Sequence, residues 1–310
     1  MTPGLSFSII IPTYQRRDAV CEAIRALCRQ SYDGPMELIV VVDGSTDGTA
    51  AALAKLECSF PIKIVEQENG GLASARNRGA LEATGDTLLF LDDDLISERD
   101  LVRQHAKTHA QGADVVTGEI PVHQSSKPGL VTDALAKAAA WKRNPPLSAF
   151  DVYGGHLSIR RSAFRQVGGF DEDLHAGGYG GEDLDLGLRL IGRFDVRHNT
   201  DAIAWQKSLV SPFEHMRRAR RIAASDLRLI AKHPEVTAEL LTHRGAPTRL
   251  SRVPALPAIA ATVAASLAEA AMPTPLRSSP LLARIYFAAR SMSYWSAFQR
   301  LGGKDILRKR

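Results

Sequence analysis

Thr87-Leu88-Leu89-Phe90-Leu91-Asp92-Asp93-Asp94 is the stretch that decides the fold of this chain. Gly85-Asp86 precedes it, and the apolar run is too short for a typical helix. It therefore reads as a buried strand ending in three consecutive carboxylates. Like charges a few ångströms apart raise each other's pKa, so such a triplet is electrostatically unfavourable by itself. A divalent cation removes that cost. Hard ions such as Mg²⁺ and Mn²⁺ prefer carboxylate oxygens, usually one or two of them together with substrate phosphates. A solvated acidic loop is the other reading. It suits one aspartate at a strand end better than three.

Working outward, two earlier strands end in the same way. Leu38-Ile39-Val40-Val41-Val42 is β-branched and runs into Asp43-Gly44-Ser45-Thr46-Asp47-Gly48-Thr49, a tight turn in which Ser45, Thr46 or Asp47 can cap the next helix. Phe7-Ser8-Ile9-Ile10-Ile11 is a strand expected to stop at Pro12. Thr13-Tyr14-Gln15-Arg16-Arg17-Asp18 then leads into a helix with apolar positions Val20, Ile24 and Leu27. In open α/β sheets ligands bind beyond the carboxyl ends of the strands. Thr13, Tyr14, Asp43 and Asp92 to Asp94 are therefore expected to line one crevice. There is no Walker loop and no G-x-G-x-x-G after a strand, which argues against kinase and dinucleotide-binding functions.

The order of the motifs resembles the family 2 glycosyltransferases, an inverting group with the GT-A fold. The matching pieces are Ile9-Ile10-Ile11-Pro12-Thr13-Tyr14, the Val42 to Thr49 turn, Asn69-Gly70-Gly71-Leu72-Ala73-Ser74-Ala75-Arg76-Asn77-Arg78-Gly79 and Leu91-Asp92-Asp93-Asp94. Gly155-His156-Leu157-Ser158-Ile159-Arg160-Arg161, Val167-Gly168-Gly169-Phe170-Asp171 and Gly181-Glu182-Asp183-Leu184-Asp185-Leu186-Gly187-Leu188-Arg189 follow. Each alone is weak; seven in one order over residues 6–206 are specific, and the last third of the chain has no match. The resemblance implies an α/β GT-A domain with a mixed, mostly parallel sheet over residues 1–212, its nucleotide-sugar half over 1–120 and its acceptor half over 121–212. Residues 213–310 would form a basic helical appendage.

The resemblance also implies roles. Asp94 would bind Mn²⁺ or Mg²⁺, with Asp92 and Asp93 at the ribose or assisting the metal. Asp43 would accept a hydrogen bond from uracil, and Pro12, Thr13 and Tyr14 would flank the nucleoside. Arg76 would reach a phosphate. Gly155 and His156 would meet donor or acceptor sugar. Asp183 would be the general base that takes the acceptor proton, and Glu182 would shape the acceptor pocket. Asp185 would orient neighbours. Glu182 and Asp183 also suit a helix N-terminus simply as partners of its dipole. The family often completes the metal site with a histidine where this chain has Gln206, while His198 and His215 are out of place; an amide carbonyl suits Mg²⁺ better than transition ions. The expected reaction is inverting transfer from a nucleotide-diphosphate sugar, UDP-linked above others, to an acceptor nucleophile. A sugar-phosphate nucleotidyltransferase, or a catalytically silent carbohydrate-binding relative, is the alternative.

Composition fits a soluble enzyme with room for a large core in 310 residues. The N-terminus does not read as a signal peptide, and a cytoplasmic location is expected. Cys21, Cys28 and Cys58 are odd in number and lack metal-type spacing, so a reducing compartment without disulfides is expected. Charge is uneven: residues 216–310 carry 17 Lys+Arg against 5 Asp+Glu, while residues 1–215 carry 22 against 29. A basic tail fits an anionic partner or a membrane surface, such as the inner membrane face, as well as plain solubility; nucleic acid is not favoured. Phe213 to His233 reads as a helix with Met216, Ala219, Ile222, Ala223, Leu227 and Ile230 on one face. Leu256 to Met272 reads as a buried or interfacial helix, its uncharged stretch too short to span a bilayer. Leu281 to Leu301 reads as a basic amphipathic helix, on a membrane or on the core. Val122 to Gly129 and Arg143 to Pro146 read as loops.

Overall fold

The computed structural model describes residues 4–126, 146–175, 180–207, 211–244, 290–303 and 306. These fall into two compact units. The first holds the described residues of 1–124, 139–172 and 182–208, and the second those of 125–138, 173–181 and 209–310.

The first unit is built on one sheet of eight strands in the order β3-β2-β1-β4-β7-β6-β8-β5. The strands are β1 Phe7–Thr13, β2 Met36–Asp43, β3 Ile62–Gln67, β4 Thr87–Leu91, β5 Leu95–Ser97, β6 Val115–Glu119, β7 His156–Arg160 and β8 Val196–Gln206. The β1–β2, β1–β4, β2–β3 and β6–β8 pairs are parallel, and β4–β7, β6–β7 and β5–β8 are antiparallel. The mixed, mostly parallel sheet expected from the sequence is therefore present. Helices α1 Arg17–Leu27, α2 Thr49–Leu53, α3 Leu72–Glu82, α4 Leu101–Ala110, α5 Arg161–Val167 and α6 Glu182–Leu190 accompany it.

Successive side chains of a strand point to opposite faces, and each face here has its own core. Ile10, Ile39, Val41, Leu88 and Phe90 pack with Ala75, Phe164 and Leu186 on one side. Ile9, Ile11, Leu38, Val40 and Leu89 pack with Val20, Ile24 and Leu27 on the other. Burial of both faces is why these strands are uninterrupted apolar runs. Pro12 does not end β1, as the sequence reading expected, but pairs with Val41. Pairing of β1 with β4 stops at Ile10, so Pro12 lies where the strand has one neighbour and a missing N–H is tolerated.

One cysteine expectation is overturned. Cys28 and Cys58 are bonded as a disulfide, with Cα atoms 5.1 Å apart, while Cys21 is free and buried. Cys28 closes α1 and Cys58 follows α2, so the crossovers on either side of β2 bring together two residues 30 apart in sequence. Counting cysteines could not reveal that proximity, and the argument from them for a reducing compartment falls.

In the second unit α7 Pro212–Lys232 starts at Ser211, whose hydroxyl accepts from Glu214 N at 3.2 Å, and ends before His233-Pro234. Met216, Ala219, Ala223, Leu229 and Ile230 are buried, whereas Ile222 and Leu227 of the expected stripe are half-buried. Asp226, itself buried, takes a bidentate contact from Arg244 (2.7 and 2.9 Å) and one from the Tyr294 hydroxyl (2.7 Å). Arg244 follows α8, Thr237–His243. Residues 290–298 are helical, with Tyr294, Trp295 and Phe298 buried, so this part of the expected amphipathic helix packs its aromatic side chains inside the unit. The expected helix from Leu256 to Met272, the start of that from Leu281, and all but Pro146 of the Arg143 to Pro146 loop lie outside the described residues, whereas residues 122–126 of the other expected loop are described and, apart from an isolated bridge between Val122 and Gln206, carry no helix or strand. Among the described residues no helix is long and apolar enough to cross a membrane.

Candidate active site

The carboxyl ends of β1, β2 and β4 carry Thr13, Asp43 and the Asp92 to Asp94 triplet, and β7, antiparallel to β4, begins there with His156 opposite Leu91. The triplet is divided between two arginines. Asp93 is buried and accepts from the Thr13 hydroxyl at 2.8 Å. The Arg16 guanidinium spans Asp93 Oδ1 (2.7 Å) and Asp94 Oδ2 (2.8 Å), one nitrogen to each. Burial raises the Asp93 carboxyl to about 7, against the lowering effect of the Arg16 charge.

Arg76, from α3, takes the other end. Its side chain is 1% exposed and meets Asp92 Oδ1 at 3.0 Å, Asp183 Oδ1 at 2.9 Å and Glu182 Oε1 at 3.3 Å. Tyr153 donates to the second Asp92 oxygen at 3.0 Å. The sequence reading sends Arg76 to a phosphate; the structure places it among three carboxylates, which hold its guanidinium firmly protonated despite burial. Glu182 and Asp183 open α6, where a helix N-terminus favours negative charge. Burial nevertheless raises the Asp183 carboxyl well above the usual carboxylate range, with Arg76 opposing and Glu182 and Asp92 adding to the rise. Glu182 Oε2 is buried without a hydrogen-bond partner among the described residues.

Gly154 and Gly155 are glycines because carboxylates lie against them. A Cβ on Gly154 would come within 2.3 Å of Asp183 Oδ1, and one on Gly155 within 2.4 Å of Asp92 Oδ2. The Gly155 carbonyl also accepts from Asp92 N at 2.9 Å.

Other expected site residues have structural duties. Asp43 Oδ1 accepts from Gln67 Nε2 and Gly70 N (both 2.8 Å), and Oδ2 from Gly71 N (2.9 Å), which fixes the turn into α3. Asn77 bonds both backbone polar groups of Phe170, its Nδ2 to the carbonyl (2.8 Å) and its Oδ1 from the N–H (2.9 Å), which joins two of the sequence motifs. Asp185 is buried and accepts from Arg189 Nε at 2.9 Å, orienting an arginine that caps the Val167 and Gly169 carbonyls. Tyr14 is half exposed. Gln206 pairs across the ladder with Leu95, and the next residue, Lys207, donates its N–H to Asp94 O at 3.3 Å, so Gln206 does lie beside the triplet.

His156 is only 1% exposed. It ends a buried line: Ala113 O, His109, Ser158 Oγ, His105, His156 and Glu119 O, with contacts of 2.9, 2.7, 2.7, 3.0 and 3.2 Å. Burial lowers the His105 pKa well below its ordinary value and that of His109 to about 4. His198 belongs to a neighbouring contact, between Thr117 Oγ1 and Glu119 Oε1.

Among the described residues no three His, Cys, Asp or Glu side chains converge as a ready metal cage. Asp93 and Asp94 fit a hard divalent ion in the manner of sites completed by substrate phosphates: one cationic group already bridges them. Sequence reasoning missed Arg16. The signal was there, since a triplet of carboxylates in a folded chain needs compensating cations and Arg16 closes the β1–α1 turn.

Residues 8–168 match the description of glycosyl transferase family 2. The chain is 28% identical over 237 residues to the glycosyltransferase YfnE of Bacillus subtilis, covering 59% of each. It is 31% identical over 275 residues to validoxylamine A glucosyltransferase of Streptomyces hygroscopicus subsp. limoneus, covering 77% of this chain and 60% of that one. The alignments thus span 59% to 64% of the length of these first relatives. The fold is that of the mannosyltransferase PcManGT from Pyrobaculum calidifontis, solved with GDP-Man and Mn²⁺ (TM-score 0.62, 20% identity, 98% of this chain and 89% of that one). Residues 1–349 of Staphylococcus aureus TarS, solved with UDP, share it too (TM-score 0.56, 20% identity, 96% and 91%). With its motifs in order along a GT-A sheet and its family match over half the sequence, the chain belongs to glycosyl transferase family 2.

Proposed function

We propose that this chain transfers a sugar, with inversion, from a nucleotide-diphosphate sugar, UDP-linked, to an acceptor nucleophile, and that Asp183 is the general base. The observation that carries this reading is Arg76, which ties Asp92 of the triplet and Asp183 of α6 to one guanidinium. A donor-side carboxylate and a candidate base are thereby fixed a few ångströms apart on rigid elements. The raised Asp183 carboxyl suits proton acceptance near neutral pH, since a base is most effective when its pKa lies close to the working pH.

Asp94 and Asp93 would hold Mn²⁺ or Mg²⁺, with Gln206 beside them, and the ion when bound would offset charge on the departing diphosphate. Pro12, Thr13 and Tyr14 would flank the nucleoside. Asp43 would meet the uracil edge through the capacity Oδ2 retains after accepting from Gly71, and would shape that edge by holding the Asn69 to Gly71 turn. Glu182, with its unpartnered Oε2, would address the acceptor, and Gly155 would keep the floor beside Asp92 open. The basic C-terminal region would face an anionic partner or lipid surface, through its charges rather than its buried aromatic side chains.

The test is product analysis with a panel of UDP- and GDP-sugars, an acceptor library and Mn²⁺. Release of the nucleoside diphosphate with an inverted anomeric product is expected. Release of inorganic diphosphate would instead identify a nucleotidyltransferase, and binding without turnover of any donor would identify a silent carbohydrate-binding relative.

A further inference from the structure

Arg16 is the unassigned charged group that faces the site most directly. The backbone around it is pinned: Gln15 N donates to Ser45 Oγ and Gln15 Nε2 to Thr46 Oγ1 (both 2.9 Å), and Arg17 N donates to Asp47 Oδ2 at 3.0 Å. Gln15 is the only non-glycine described residue with positive φ, 53°, a left-handed conformation that costs an L-residue about 1–2 kcal/mol. The turn is thus held in an unfavourable shape by contacts to the β2–α2 turn, and that shape delivers Arg16 to Asp93 and Asp94. The side chain itself is not locked. It is 35% exposed, against 1% for Arg76.

A guanidinium with one nitrogen on each of two carboxylates provides the charge pattern that a divalent ion would provide. Asp93 is buried, and an uncompensated buried carboxylate is strongly unfavourable, so while Asp93 is ionised a cation is needed to face it. A metal entering alone has to evict Arg16. A metal entering with a diphosphate gives the evicted guanidinium a new partner, because planar guanidinium groups bind phosphate oxygens bidentately.

We propose that Arg16 is an exchange cation: it neutralises Asp93 and Asp94 in the empty site, yields to the divalent ion, and then binds the nucleotide diphosphate, so that metal and nucleotide bind as a coupled pair. This rests on the reading of Asp93 and Asp94 as the metal end of the site. Arg16 then acts as a binding residue for the phosphates, and the coupling is reciprocal: each ligand raises the other's affinity by the same factor.

The experiment is an Mn²⁺ titration followed by electron paramagnetic resonance, on the full chain, with and without saturating UDP or GDP, for wild type, Arg16→Gln and Arg16→Lys. In wild type, nucleotide should raise Mn²⁺ affinity by roughly 5- to 150-fold, the usual range of site–site coupling. In Arg16→Gln, Mn²⁺ alone should bind more tightly than in wild type, and the gain from nucleotide should shrink several-fold. Arg16→Lys, whose single ammonium cannot serve both carboxylates as a fork does, should fall between; it also keeps a cation on Asp93 and serves as the test should Arg16→Gln not fold. Equal Mn²⁺ affinity and equal coupling in all three proteins would overturn the exchange role. Absence of Mn²⁺ binding in wild type even with UDP and GDP would overturn the metal reading beneath it, a distinct result.

Discussion

The two arginines at the acidic triplet make opposite use of the same chemistry. Arg76 rises from a helix, is 1% exposed and serves three carboxylates from two separate segments. Arg16 hangs from a strained turn, is about a third exposed and serves two adjacent carboxylates. The first is part of the scaffold, because removing it would strand three carboxylates around a buried space. The second can leave, because water and a competing cation reach it. The difference is one of burial: a low-dielectric surrounding turns an ion pair into a fixture, and solvent makes it replaceable.

The strongest way to break this contrast is to remove each arginine. Arg76→Met should lower unfolding free energy by about 3–5 kcal/mol, the usual consequence of orphaning buried charges, whereas Arg16→Gln should lower it by much less. Chemical denaturation of both variants decides it, and equal losses would dissolve the distinction.

Next in size is Asp183→Asn, which keeps the shape at the Arg76 end and removes the proton acceptor. Turnover should fall at least about 10²-fold while donor affinity changes little. Weak donor binding with normal turnover at saturation would make Asp183 a binding residue and Glu182 the candidate base.

Gly154→Ala sharpens the contrast without touching a charge. Its Cβ would press on Asp183 Oδ1 and Arg76 Nη1, at 2.3 and 2.8 Å, and nothing at Arg16. Turnover should fall about tenfold, since small misplacements of a positioned group cost up to about a hundredfold, with metal affinity unchanged. A parallel loss of Mn²⁺ binding would show that the two ends are not independent.

The smallest expected effect is in pH dependence. The folded-state pKa of Asp93 lies above its unfolded value, at about 7, so the folded chain binds the extra proton. Its contribution to stability is present at low pH and is lost as pH rises from about 4 towards 7. Metal-free Asp93→Asn should therefore lose less stability over that window than wild type, measured by thermal unfolding at pH 5 and 7.5. A steeper loss in the variant would reverse the sign and the assignment.

Much of this was legible in the sequence, for reasons that particular residues make plain. Strands buried on both faces announce themselves as apolar runs, so β1, β2 and β4 and the polar residues at their ends could be placed without coordinates. What each side chain touches could not. Arg76 and Asp183 are 107 residues apart, and only the sheet order makes them partners. Asp43 and Asn77 carry motif positions yet spend their polar atoms on turns. His156 stands at a motif position and is turned into the interior by α4, whose His105 gave no signal beyond helical spacing. Cys28 and Cys58 met for the same reason: crossover geometry, which spacing does not encode.

The line from Ala113 O to Glu119 O has one further property, that of parity. It contains five polar contacts, and a hydrogen bond at each would require five protons. Three neutral imidazoles and one hydroxyl bring four. If His109 donates to Ala113 O and each following group donates back along the line, the contact at Glu119 O is left without a hydrogen; if every donor points the other way, the shortfall sits at Ala113 O. Burial disfavours charge on His105 and His109; with all three rings neutral, two arrangements of the same four protons keep every internal contact bonded, and they differ in which end goes without. It is a two-way register written in tautomers, and the strand that begins at His156 borders Asp92.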